Sequence, residues 1–193
     1  MRHPLEFVAQ IHRRRFFLTF LFLTLILFAV FRILDQPLRT PAAPNGIVSF
    51  ELAGSVERAR AITEEWKKSS LLLSATAGQP NPDIVNVPYA FAAFSLGIDY
   101  LFMPFYSFAL AFGTLLAASK HTGWLKSLGA VAGYGAFAAA LFDAVENYAL
   151  FQILLNRIHS PYPEIAFYCA SIKFGLLALG LVYGLAGWLI PSK

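Results

Sequence analysis

The chain has 193 residues, 58% of them hydrophobic and 13% charged, with a formal net charge of +4, where an average soluble domain carries about 25% charged residues. A mean hydropathy of +0.59 and four long apolar runs exclude an ordinary soluble fold. The clearest basic run flanks the first apolar segment, where it orients a membrane span, so the positive charge is not read as a nucleic-acid footprint.

One cysteine, Cys169, leaves no intramolecular disulfide and no CxxC redox pair. The histidines His3, His12, His121 and His159 are scattered without ligand spacing, so neither a metal nor a cofactor is expected.

Residues 1–15 carry Arg2, Arg13, Arg14 and Arg15 against Glu6. The apolar run 16–34 is long for a signal peptide and no small-residue cleavage site follows it promptly, so it reads as an uncleaved first span, the alternative being a cleaved signal peptide, with Arg32 snorkelling to the far interface.

Residues 35–88 form the one substantial segment outside the apolar runs. QPLRTPAAPNG reads as a linker and IVSFELAG, by its alternation, as a short extended piece. Ser55 is a plausible N-cap and Glu57 lies in the first turn, predicting an amphipathic helix over 55–68. Its face of Leu52, Val56, Ala59, Thr63 and Trp66 predicts a helix that lies on the membrane or caps the bundle. Glu51 and Trp66 are candidates for a lid over a site in the bundle, although a plain peripheral helix fits the pattern better. SATAGQPNPDIVNVP reads as a loop.

The second span covers 89–119 and contains Asp99 and then Pro104, which cannot donate to the carbonyl of Tyr100 and predicts a kink. Ser95, Tyr106 and Gly113 share the Asp99 face. The third span covers 125–155. There Gly129, Gly133, Ala136, Ala140, Asp143 and Asn147 fall at offsets of 0, 4, 7, 11, 14 and 18, a single helical stripe that is small and then polar, with Glu146 at its edge. NRIHSPYP is a loop. The fourth span covers 165–190, with Lys173, Gly180, Gly184 and Gly187 in one stripe. The expected fold is therefore an all-α membrane protein, one domain over 1–193, built as a four-transmembrane-helix bundle with an amphipathic helix in the first extracytoplasmic loop.

Basic residues in short flanks set orientation. Arg2, Arg13, Arg14, Arg15, Lys120, Lys126 and Lys193 outweigh Arg32, Arg39 and Arg157, predicting both termini in the cytoplasm and residues 35–88 outside. At 1.5 Å of rise per residue, Asp99 lies about 15 Å deep, Glu146 about 14 Å, Asp143 about 18 Å and Lys173 about 12 Å. Three spans thus place ionisable groups in one layer. The stripes aim Lys173 at Asp143, Glu146 and Asn147, and the pairs Gly129/Gly133 and Gly180/Gly184 predict close packing of spans three and four.

Asp99, Asp143, Glu146, Asn147, Lys173 and Tyr106 are accordingly the candidate ligand- or proton-binding residues. One ammonium cannot neutralise three carboxylates in a low dielectric, so a proton, a cation or a positive ligand group is expected to complete the set. The plain alternative is polar glue between helices.

The strings SFELAG, EEW, GIDYLFMPFYS and FDAVEN, in this order over about residues 47–155, resemble a family of small four-helix bacterial inner-membrane proteins of uncharacterised function. The resemblance implies a four-span inner-membrane protein and supplies no reaction. Glu51, Trp66, Asp99, Tyr106, Asp143, Glu146 and Asn147 fall in its motifs; Lys173 does not.

Three functional classes follow. A carrier or proton-coupled membrane protein would use the carboxylate layer, and with four spans would need a homodimer. A non-catalytic assembly protein would use its helix faces to bind a membrane-protein partner. An intramembrane enzyme acting on a lipid, with Asp143 or Glu146 as acid/base, ranks last because no nucleophile with an oriented base is present. The expected partners are thus the lipid bilayer, a second copy or another membrane protein.

Overall fold

A computed structural model describes residues 1–76 and 87–189. It is 80% helix, with no strand among the described residues. The elements are α1 (Gln10–Leu34), α2 (Ile47–Glu51), α3 (Val56–Thr76), α4 (Val87–Ala118), α5 (Gly123–Leu154) and α6 (Tyr162–Leu189). Four of them, α1, α4, α5 and α6, are long and apolar enough to cross a membrane. Most of the expected loop 74–88 and the end of the fourth span lie outside the described residues. The helix α4 runs unbroken past Pro104.

The chain packs as two compact units. The first comprises Met1–Leu27, Leu101–Ala144 and Ser171–Lys193; the second comprises Phe28–Tyr100 and Val145–Ala170.

In the first unit α1 docks through an aromatic ladder. Phe20 stacks on Phe108 at 4.9 Å, Phe16 lies 5.6 Å from Phe112, and Phe108 meets Phe137 edge-on at 5.2 Å. Ring pairs of this kind add about 0.5–1.5 kcal/mol beyond their buried area. The residues before α1 fold back into the unit, burying His3 and Leu5. The Leu5 N–H donates to His3 Nδ1 at 3.2 Å, which leaves Nε2–H to donate to Thr114 Oγ1 at 3.2 Å; the Thr114 hydroxyl donates in turn to the Ala111 carbonyl at 2.9 Å.

Gly133 makes this possible, because a side-chain carbon there would occupy the His3 ring. The expected seam of paired glycines is not what these residues form. Gly180 receives Leu110 of α4, Gly129 receives Tyr183 and Ala118, and Gly184 has no atom within 4 Å of where a Cβ would stand. A small-residue stripe fixes which face can be approached, not which side chain approaches it.

In the second unit α3 is part of the core. Trp66 is fully buried, with Phe50 at 5.2 Å, and its indole N–H donates to the Leu38 carbonyl at 2.9 Å. Ala59, Ile62, Leu96, Leu150 and Ile153 complete the cluster. The helix extends beyond the expected 55–68, its Ser55 cap accepting the Arg58 N–H at 3.3 Å.

The stretch expected to be extended is instead the short helix α2. The Asp35 carboxylate accepts the Ile47 N–H at 2.8 Å, satisfying one of its first-turn donors, and a side chain at Gly46, φ +57°, would collide with that carboxylate. The α5 C-terminus closes on Asn156 at φ +66°, with Asn156 N–H to Ile153 and Arg157 N–H to Gln152, a Schellman arrangement.

Two predictions follow from the first unit. Gly133→Leu drives a side chain into the His3 ring and costs about 1–3 kcal/mol as overpacking, whereas Gly184→Leu enters open space and stays within about 0.5 kcal/mol of wild type; thermal unfolding in detergent compares them.

The second concerns pH. Burial pushes His3 from 6.5 down to about 4, so between those values the unfolded chain binds more protons than the folded one. Stability therefore rises with pH across that window and is lost as pH falls through it. His3→Ala should flatten that slope in unfolding curves taken from pH 4 to 7.

Candidate functional site

Helix α5 brings Asp143 into the first unit with 2% of its surface exposed, facing Tyr106 from α4 at 7% and Lys173 from α6 at 5%. Lys173 Nζ donates to Asp143 Oδ1 at 2.9 Å, and the Tyr106 hydroxyl donates to Oδ2 at 2.8 Å. Each carboxylate oxygen thus has a donor from a different helix. Around them pack Met103, Ala139, Ala140, Ala144, Leu176 and Leu177. Phe102 lies 5.2 Å from the Tyr106 ring, and the Phe174 ring lies 4.8 Å from Nζ.

Removing two charges from water costs several kcal/mol per ion, and attraction repays this only with good geometry and further hydrogen bonds. Tyr106 supplies such a bond. Chemically the three groups form a short hydrogen-bonded chain of ammonium, carboxylate and phenol hydroxyl.

A second set of polar residues belongs to the other unit. Asn147, fully buried, donates through Nδ2 to Asp99 Oδ2 at 2.8 Å and to the Leu96 carbonyl at 3.4 Å. The Asp99 bond fixes the orientation of the amide, and Asn147 Oδ1 is a buried acceptor without a hydrogen-bond partner among the described residues. Glu146 is fully buried, while Asp99 is half-buried. These hydrogen bonds join Tyr106, Asp143 and Lys173 in the first unit and Asp99 and Asn147 in the second. Of the residues named as a possible lid, Trp66 is a core residue and Glu51 is 8% exposed.

No group of three His, Cys, Asp or Glu among the described residues is arranged to hold a metal. Two described cavities lie elsewhere in the first unit. One, of about 180 Å³, lies beside the residues before α1; the other, of about 150 Å³, lies by His121, Leu125 and Tyr183. His3, Glu6, Arg13 and Thr114, which shape the first region, had no sequence signal beyond a basic flank, because the contact of His3 with Thr114 spans 111 positions.

Breaking the Asp143–Lys173 pair from one side strands the other group and costs about 3–5 kcal/mol, whereas replacing both with apolar residues is near neutral. Lys173→Met should be the milder single change, since Asp143 keeps the Tyr106 bond. Asp143→Asn removes the charge that Lys173 faces, and Asp143→Leu/Lys173→Met should recover most of the lost unfolding temperature in detergent. No family model, curated protein or solved structure matches the chain, so the functional reading rests on these contacts.

Proposed function

We propose that this chain is a bacterial inner-membrane protein with both termini in the cytoplasm, in which Tyr106, Asp143 and Lys173 bind and release a proton in a transport or carrier role. The single observation that carries the reading is the ion pair between α5 and α6, set among helices apolar enough to span a bilayer. Ionisable groups at such depth are costly and by default functional. Protonating Asp143 cancels its attraction for Lys173, so one proton changes the interaction between two helices. Asp99, Glu146 and Asn147 supply further carboxylates and an acceptor in the second unit. No cofactor and no enzymatic step is part of this proposal.

The second reading, a non-catalytic assembly protein working as a homodimer or with a membrane-protein partner, is favoured by the satisfaction of both Asp143 oxygens. A carboxylate already given two donors also serves as plain structural glue.

Liposomes separate the two. In the proton-binding reading, purified protein dissipates an imposed pH gradient. Asp143→Asn falls to the rate of empty vesicles, and Tyr106→Phe, which keeps the ion pair, slows the flux. A wild-type rate equal to that of empty vesicles, or equal rates for all three proteins, contradicts it and leaves the assembly reading. For the orientation, Arg58→Cys on the exposed face of α3 should react with an impermeant maleimide in intact cells, the native Cys169 being buried; reaction only after permeabilisation contradicts it.

A further inference from the structure

The cavity of about 180 Å³ in the first unit is lined by His3, Glu6, Arg13, Leu115, Ser119 and Lys126 among others. The Arg13 guanidinium is already positioned: Nε donates to the Val8 carbonyl at 2.8 Å and Nη2 to the Glu6 carbonyl at 2.9 Å. Neutral carbonyls hold the fork without cancelling its charge, and a guanidinium has five N–H donors, so three remain for a ligand.

Lys126 also lines the cavity, its Nζ 3.3 Å from the Glu6 carboxylate. That pair is half exposed on the lysine side and a third exposed on the glutamate side. A pair so exposed is worth about 1 kcal/mol or less, so an incoming anion can exchange for Glu6. Two cations face one carboxylate here. His3 adds no charge at neutral pH, because burial pushes it down to about 4. Leu115 and Ala118 give the wall an apolar side, and the lipid-compatible surface of α1 begins next to it, with Ile11 and Phe16 exposed.

The geometry points to a phosphate-binding site in this cavity, with Arg13 and Lys126 holding a phosphate oxyanion borne by an anionic phospholipid headgroup or by a free phosphate. A planar guanidinium matches two phosphate oxygens, and an ammonium beside it adds a point charge. Basic pockets between helix ends are also where anionic headgroups are held. The site is independent of the proton-binding reading, since none of its residues belongs to the Tyr106–Asp143–Lys173 chain.

The test uses the full chain in neutral detergent, titrated with phosphatidylglycerol, phosphatidylcholine or inorganic phosphate and read by native mass spectrometry and thermal unfolding. Phosphatidylglycerol or inorganic phosphate should be retained over phosphatidylcholine. Retention of phosphatidylglycerol alone assigns a lipid site; equal competition by inorganic phosphate assigns a free-anion site.

Arg13→Gln should weaken binding about tenfold, the value of one charged hydrogen bond. Glu6→Gln should strengthen it by releasing Lys126 and removing the repelling carboxylate. Arg14→Gln, exposed and outside the cavity, should leave it unchanged. Unfolding without ligand checks that each variant is folded. Binding of neither phosphate source overturns the proposal. So does equal weakening by Arg13→Gln and Arg14→Gln, which marks general surface attraction.

Discussion

A carboxylate among apolar helices has to be given donors, and the first unit is built to give them to Asp143. Its two oxygens take one donor from α4 and one from α6. The requirement fixes how three helices are rotated about their own axes, because a turn of α5 by one residue, about 100°, would move the carboxylate out of reach of both. Apolar packing alone discriminates weakly between such rotations when lipid and protein interior are equally apolar. The polar chain supplies the discrimination, and the small residues around it, Ala139 and Ala140, let the helix carry a charge at close quarters.

The same unit uses a glycine to seat a polar ring. His3 reaches Thr114 only because Gly133 has no side chain, and its neutral form is the one that the Leu5 N–H bond selects. This ties the residues before α1 to the packed part of the unit. It also leaves Arg13, pinned by backbone carbonyls, lining a cavity that Lys126 lines too. The second unit solves a different problem. Its core is aromatic and aliphatic, centred on Trp66, and α3 contributes a buried face while keeping Arg58, Glu64 and Lys67 exposed.

The four apolar helices were legible because hydropathy over about 20 residues is a local property. The approach of Lys173 to Asp143 was legible from helical register and depth, since both are counted along single elements. The partners of the glycines were not, because a missing side chain says where space lies without saying what fills it. Gly133 holds a histidine 130 positions earlier in the chain, and Gly184 holds nothing. The extended reading of 47–52 failed for a similar reason: its alternation was real, but the Asp35 carboxylate, 12 positions away, caps a helix there. The apolar face of α3 is legible as a buried face, but what fills it around Trp66, namely Leu38, Phe50 and Leu96, is brought together by no local pattern.

The central claim is that Asp143 forms an ion pair with Lys173 and accepts a hydrogen bond from Tyr106. Isotope-edited infrared spectroscopy of aspartate, read as the difference between wild type and Asp143→Asn at neutral pH, tests it most directly. The account predicts a carboxylate signal and no protonated carboxyl signal for Asp143 in the wild-type protein. It predicts a protonated signal once Lys173→Met removes the cation. A protonated carboxyl in the wild-type protein, or no change on Lys173→Met, would contradict it.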